Sequence, residues 1–198
     1  MTADWFADNI VEIFGAVAGI AYVILEIRRS IWLWPLGIIT SAVYIYVFGR
    51  TGFYANMGLQ GYYLVISVYG WYMWSRRQER EQAGAGSDVK RIDAATAAWC
   101  AVATAAIWAV LWLVLGRATD SPVTVWDGLI ASLSVVATWM LTRKYIEQWY
   151  VWIVANAIAV AVYLASGLYP TAVLFFVYFV MAIIGVIKWR QEVIGNRQ

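Results

Sequence analysis

The sequence contains no histidine and a single cysteine, Cys100. The first absence removes the commonest general base and every His-based zinc or haem site. The second removes an internal disulfide, a cysteine-rich metal centre and an iron–sulfur cluster. Charge is scarce too: Asp, Glu, Lys and Arg supply 13% of the 198 residues, about half the roughly 25% of a soluble domain. That is too little to coat a water-facing surface. No GxxxxGKS or GxxxxGKT phosphate loop occurs, which argues against ATP hydrolysis in this chain. A net charge of +2 leaves no footprint for nucleic acid. The opening MTADWFADN has two Asp and no Lys or Arg, so it lacks the basic start of a cleavable signal peptide.

What is present is apolar. Residues of the set AVILMFWYC make up 63% of the chain, and the mean hydropathy is +0.68. Thirteen Trp and thirteen Tyr stand against seven Phe, favouring rings with a polar tip that suit membrane interfaces and stacking sites. A membrane helix needs about 20 apolar residues to cross a hydrocarbon core of about 30 Å. Seven such stretches are read: Ile10–Ile27, Ile31–Phe48, Phe53–Trp74, Ala94–Leu115, Trp126–Leu141, Trp149–Ala165 and Tyr169–Ile187. Breakers separate them at Gly49–Gly52, Gly116–Pro122 and Ser166-Gly167. The one long polar stretch, residues 76–93, reads as a solvated cytoplasmic linker or a continuation of the third helix.

Positive charge sets the orientation, because cytoplasmic loops keep Lys and Arg. Twelve of the fourteen fall on one side: Arg28, Arg29, Arg76, Arg77, Arg80, Lys90, Arg91, Arg143, Lys144, Lys188, Arg190 and Arg197. Only Arg50 and Arg117 fall on the other. The expectation is an N-terminus outside, a C-terminus in the cytoplasm and an odd number of spans.

The chain also matches itself without gaps at an offset of 115 residues, joining spans one to three with spans five to seven. Arg28/Arg143, Trp34/Trp149, Gly52/Gly167, Tyr63/Tyr178, Gly70/Gly185 and Trp74/Trp189 are identical pairs, and Glu12 pairs with Asp127. Apolar matches are cheap in a membrane protein; matched Trp, Tyr, Gly and Arg are not. Two triplets joined directly would point in opposite directions, and the Ala-rich fourth span restores the direction. The expected fold is therefore all-α and integral to the membrane, one domain of seven transmembrane helices in a parallel 3+1+3 repeat. Residues 10–75 form the first triplet, 94–116 the inversion helix and 125–190 the second triplet. Parallel repeats of this kind are found in transporters, with a site at mid-membrane.

Polar side chains inside a membrane are costly and face a partner or a cavity. On the third span Asn56, Gln60 and Tyr63 follow helical spacing, the second span adds Trp34 and Ser41, and the sixth carries Trp149, Trp152 and Asn156. The repeat sharpens this, since Asn56 and Gln60 correspond to Thr171 and Phe175. Polarity on one triplet only points to an asymmetric ligand, read by amides for hydrogen bonds and flat rings for stacking. Competing readings are a helix-to-helix hydrogen bond for Asn156 and an interfacial belt for Trp74 and Trp189. Glu12 and Asp127 read as solvated charges at helix N-termini, and the GAVAG run around Gly15 and Gly19 as close helix packing. Without a convergent acid–base or metal set, no enzyme and no cofactor are expected. The only Lys of the last span, Lys188, sits at its cytoplasmic end, so a retinal photoreceptor is excluded.

The stretches WPLGIITSAVYIYVFGRTGFYANMGLQGYYLVISVYGWYMW (Trp34–Trp74) and MLTRKYIEQWYVWIVANAIAVAVYLASGLYP (Met140–Pro170) resemble the Pnu family of bacterial vitamin transporters. The resemblance covers all seven spans and is most specific in the LTRKYIEQW run and the YGWYxW end of span three. It implies a multi-pass homotrimer of the bacterial inner membrane, in contact with lipid, each protomer resembling SWEET-type carriers. It further implies facilitated diffusion of nicotinamide riboside, an unphosphorylated vitamin, trapped inside by an intracellular kinase that is a functional partner. Carried residue by residue, it assigns Gln60, Trp149, Trp152 and Asn156 to substrate. This chain departs from the riboside type at Gln148-Trp149-Tyr150-Val151-Trp152, which keeps thiamine open as the alternative substrate. A receptor or sensor of a small aromatic ligand is the alternative from another class.

Overall fold

Long apolar runs closed by glycine or basic turns give seven helices in the computed structural model, which describes residues 2–82, 89–118 and 124–195. They are α1 (Thr2–Ile27), α2 (Leu33–Thr51), α3 (Tyr54–Gln82), α4 (Ala94–Ala118), α5 (Thr124–Thr142), α6 (Gln148–Ala165) and α7 (Tyr169–Gly195). Each of the seven apolar stretches is helical, and α1, α3 and α7 run well beyond the expected limits. Among the described residues five of them, α2 and α4 to α7, are long and apolar enough to cross a bilayer, as in a multi-pass membrane protein. Packing divides the chain into two units, Met1–Ser75 and Arg76–Gln198. The second unit joins α4 to α5, α6 and α7.

Turn geometry recurs at the 115-residue offset. Among the described residues Arg29 and Lys144 are the two non-glycine residues with positive φ, at 54° and 56°, and Gly52 and Gly167 have φ of 78° and 74°. At the first pair the chain closes its helix in the same way twice. Ser30 N–H donates to the Leu25 carbonyl at 2.9 Å and Tyr145 N–H to that of Met140 at 3.1 Å. Arg29 and Lys144 donate to the carbonyls of Glu26 and Leu141. These bonds satisfy the last carbonyls of α1 and α5, and they offset a left-handed backbone that costs about 1–2 kcal/mol for an ordinary residue.

Each unit then builds its core on a tryptophan pair. Trp34 on α2 meets Trp74 on α3 edge to face, ring centroids 5.4 Å apart. Trp149 on α6 meets Trp189 on α7 in the same way at 5.6 Å. Both pairs close over a glycine: a Cβ on Gly70 or Gly185 would lie 2.5 Å from the ring of Trp34 or Trp149. Trp74 and Trp189 are therefore buried core residues and not interfacial belt residues. The glycine reading of the GAVAG run holds at Gly15, where the Tyr44 hydroxyl of α2 occupies the space a Cβ would take. In the second unit α4 packs on α5 through Cys100, Val136 and Met140, and the Trp108 indole donates to the Val125 carbonyl at 2.9 Å.

Residues 76–93 are not a plain linker. Helix α3 continues to Gln82, and beyond residues 83–88, which lie outside the described residues, the chain straps the α5–α6 turn. Lys90 N–H donates to the Lys144 carbonyl at 3.2 Å and its carbonyl accepts Ile146 N–H at 3.1 Å. The Glu147 carboxylate accepts Ile92 N–H at 2.9 Å and Arg91 Nε at 3.5 Å. Asp93 then starts α4, accepting the backbone N–H and the hydroxyl of Thr96. Those two bonds hold its carboxyl below the usual carboxylate range.

Candidate functional site

Helix α6 begins directly after this strap, and its first residue is one that sequence reading passed over. Gln148 is fully buried; its Oε1 accepts the Trp152 indole N–H at 3.1 Å, while its Nε2 meets no acceptor among the described residues. A buried amide N–H without an acceptor costs about 1–3 kcal/mol, which makes Gln148 a candidate contact for a ligand. The repeat shows that packing does not demand it, because the matched position in the first unit is Leu33, equally buried. One turn on is Trp152, half-buried, and one turn further is Asn156, 5% exposed. At 100° per residue Gln148, Trp152, Asn156 and Tyr163 fall within a sector of about 80° on α6. The α6 face is thus an indole framed by two amides, with no charged group among them.

The other residues expected at the site divide by environment. Trp34 and Trp149 are enclosed at 0% and 1% exposure, with one neighbour edge-on and a glycine beneath, and neither presents an open ring face. Ser41 is buried at the position matched to Asn156. On α3, Gln60 and Tyr63 are half-buried and Asn56 is exposed, so the expected stripe is graded in depth and not uniformly enclosed. The structure brings Gln148, Trp152 and Asn156 into one row in the second unit; Trp34, Ser41, Asn56, Gln60 and Tyr63 belong to the first.

A second polar group that the sequence reading left out lies on α5, where Ser132, Ser134, Thr138 and Thr142 are all buried. Each hydroxyl donates to a carbonyl three or four residues earlier in its own helix, at 2.7–2.8 Å. They are satisfied internally and offer a ligand little. No group of three or more His, Cys, Asp or Glu that could hold a metal ion occurs among the described residues.

The model of a family described as nicotinamide mononucleotide transporter matches residues 9–191. The nicotinamide riboside transporter PnuC of Escherichia coli (strain K12) is 24% identical, across 90% of this chain and 84% of its own length. The riboflavin/roseoflavin transporter RibM of Streptomyces davaonensis is 25% identical, across 90% of this chain and 83% of its own. A crystal structure of the vitamin B3 transporter PnuC has the same fold, with a TM-score of 0.71 and 21% identity, over 96% of this chain and 86% of that one.

Proposed function

The chain belongs to the nicotinamide mononucleotide transporter family, and from that premise we propose that it takes up nicotinamide riboside by facilitated diffusion across the bacterial inner membrane. The observation that carries the reading is the α6 row. Its two amides suit a carboxamide and ribose hydroxyls, and the Trp152 indole between them suits a flat cationic ring, a contact worth about 0.5–2 kcal/mol. In the first unit Gln60, Asn56, Tyr63 and Ser41 are proposed as further substrate contacts. Trp34 and Trp149 act as the packed walls that hold these helices in register.

The recurrence of turn and tryptophan geometry at 115 residues supports a parallel 3+1+3 arrangement of SWEET type, and the basic residues support an N-terminus outside. A C-terminal reporter is expected to be active only in the cytoplasm and an N-terminal one only outside; the reverse pattern would remove this orientation. Assembly as a homotrimer and trapping by an intracellular kinase complete the proposal.

Uptake should need no driving ion, since the proposed contacts include neither histidine nor a carboxylate to relay a proton. Purified protein in proteoliposomes is expected to equilibrate labelled nicotinamide riboside and to support counterflow. Accumulation above the external concentration under an imposed pH or sodium gradient would show coupled transport instead. Likeness to RibM favours one second reading, a flavin substrate. Titration with nicotinamide riboside, riboflavin and thiamine separates the readings, and binding without uptake would make the protein a receptor.

A further inference from the structure

The basic turn between α5 and α6 carries an arrangement that the α6 row does not use. Arg143 lays its guanidinium over the Trp139 ring, 5.5 Å from the centroid, and Lys90 of the strap lays its ammonium over the Tyr145 ring at 5.2 Å. The two rings are neighbours, with centroids 6.3 Å apart and planes tilted by 36°. Trp139 also meets Trp99 of α4 at 5.6 Å. Arg77, near the end of α3, donates to the Arg143 carbonyl at 3.2 Å, so cations from three separate segments meet at one turn. The carboxylates of the strap and turn are committed elsewhere: Glu147 accepts from Ile92 and Arg91, and Asp93 from Thr96.

Packing of the turn does not require this set. The turn after α1 closes with the same hydrogen bonds, yet at the 115-residue offset Ile24 stands for Trp139 and Ser30 for Tyr145, while Arg28 keeps the cation of Arg143. The cluster also opens onto an apolar face. Trp99 is exposed, and Val102, Ala106, Val110 and Leu113 follow it at helical spacing along α4, all exposed as well. This stripe runs for about 20 Å along the helix axis, more than half the depth of a hydrocarbon core.

We propose that Lys90 and Arg143 bind the phosphate of an anionic phospholipid whose acyl chains lie along the Trp99–Leu113 face of α4. Charge complementarity selects the headgroup, since basic pockets at helix ends attract anionic lipid. A zwitterionic lipid carries its own cation beside the phosphate and gains less from the cluster. The apolar stripe selects a lipid over a soluble phosphate, because only a lipid fills the face that begins at Trp99. Rings with a polar tip suit the boundary between headgroup and chain, which is where Trp99, Trp139 and Tyr145 then stand.

The test uses the full chain in detergent and native mass spectrometry with dioleoyl phosphatidylglycerol and dioleoyl phosphatidylcholine, which differ in headgroup alone. Wild type is expected to retain phosphatidylglycerol about tenfold more strongly. Lys90→Gln with Arg143→Gln should abolish that preference, Lys90→Arg with Arg143→Lys should keep it, and Trp99→Ala should weaken retention of both lipids. Arg190→Gln, which removes an exposed cation of α7, should change nothing. No preference in wild type, a preference that survives the double Gln variant, or one lost in the charge-conserving pair or in Arg190→Gln would overturn the site. Glycerol 3-phosphate displacing phosphatidylglycerol at equal concentration would make the site one for soluble phosphates and overturn the lipid assignment. So would a cross-link to a second copy from a photoreactive residue at position 99 in membranes, since the face would then be covered by protein.

Discussion

Replacing Trp189 with alanine is expected to lower the stability of the second unit by about 3 kcal/mol. Trp189 is buried beside Trp149, and their indoles are set edge to face at 5.6 Å over Gly185. Buried Trp→Ala changes in water-soluble cores cost about 3–5 kcal/mol. The low end applies here because lipid, unlike water, does not penalise the apolar ring in the unfolded reference, and close packing supplies the stabilisation. Thermal unfolding of the purified protein followed by near-ultraviolet circular dichroism should show a lowered midpoint. Trp74→Ala should act likewise in the first unit. Trp152→Ala should show the opposite pattern, with affinity lost and the midpoint little changed, since that indole is half-buried and its N–H donates to Gln148 of its own helix. A Trp189→Ala protein with native stability would overturn this placement of Trp189 in the core.

The same tryptophans show how far the sequence could be read. Apolar run length located all seven helices, because a bilayer demands about 20 such residues per crossing. The 115-residue match marked in advance the residues that share turn and core geometry. It could not say what they do. Trp74 and Trp189 stood at the ends of the apolar runs, where a belt residue belongs, but α3 and α7 continue to Gln82 and Gly195, which places both indoles well inside their helices. Arg28-Arg29 and Arg143-Lys144 were legible as charge but not as turns. Arg29 and Lys144 take a left-handed backbone that composition assigns to glycine or asparagine. The strap of Lys90 onto the α5–α6 turn is made of backbone bonds, which leave no residue signature. Gln148 escaped for a different reason: it follows the basic turn and Glu147 and precedes the apolar run that opens at Trp149, so its full burial is not legible from residue type. Of the candidate site, the residue types and the α6 spacing were legible, whereas depth was not, as exposed Asn56 and enclosed Trp34 both show.

Nicotinamide mononucleotide is expected to bind at least about a hundredfold more weakly than the riboside, a difference of about 2.7 kcal/mol. The two ligands share the ring, the carboxamide and the ribose, so the α6 row can serve both equally. They differ by a phosphate carrying about −1.5 to −2 charges at neutral pH. Taking such a group out of water without a counter-charge costs several kcal/mol. Gln148, Trp152 and Asn156 provide none, nor do Gln60, Asn56, Tyr63 or Ser41. The basic residues nearest in sequence to the row precede α6 and lie outside it: Arg143 lies over the Trp139 ring at 5.5 Å, and Lys144 is buried in the turn. Calorimetric titration of both ligands in detergent measures the ratio directly. Asn156→Ala should weaken the riboside by about 1–3 kcal/mol, because a buried ligand group loses its partner, and should leave the ratio of the two ligands nearly unchanged, since the amide does not read the phosphate. Exclusion of the phosphorylated form is also what makes trapping possible, for a product that fits the path would leave by it. Mononucleotide binding as tight as the riboside would overturn the site assignment, and a cation within reach of the row would then have to be sought on another helix.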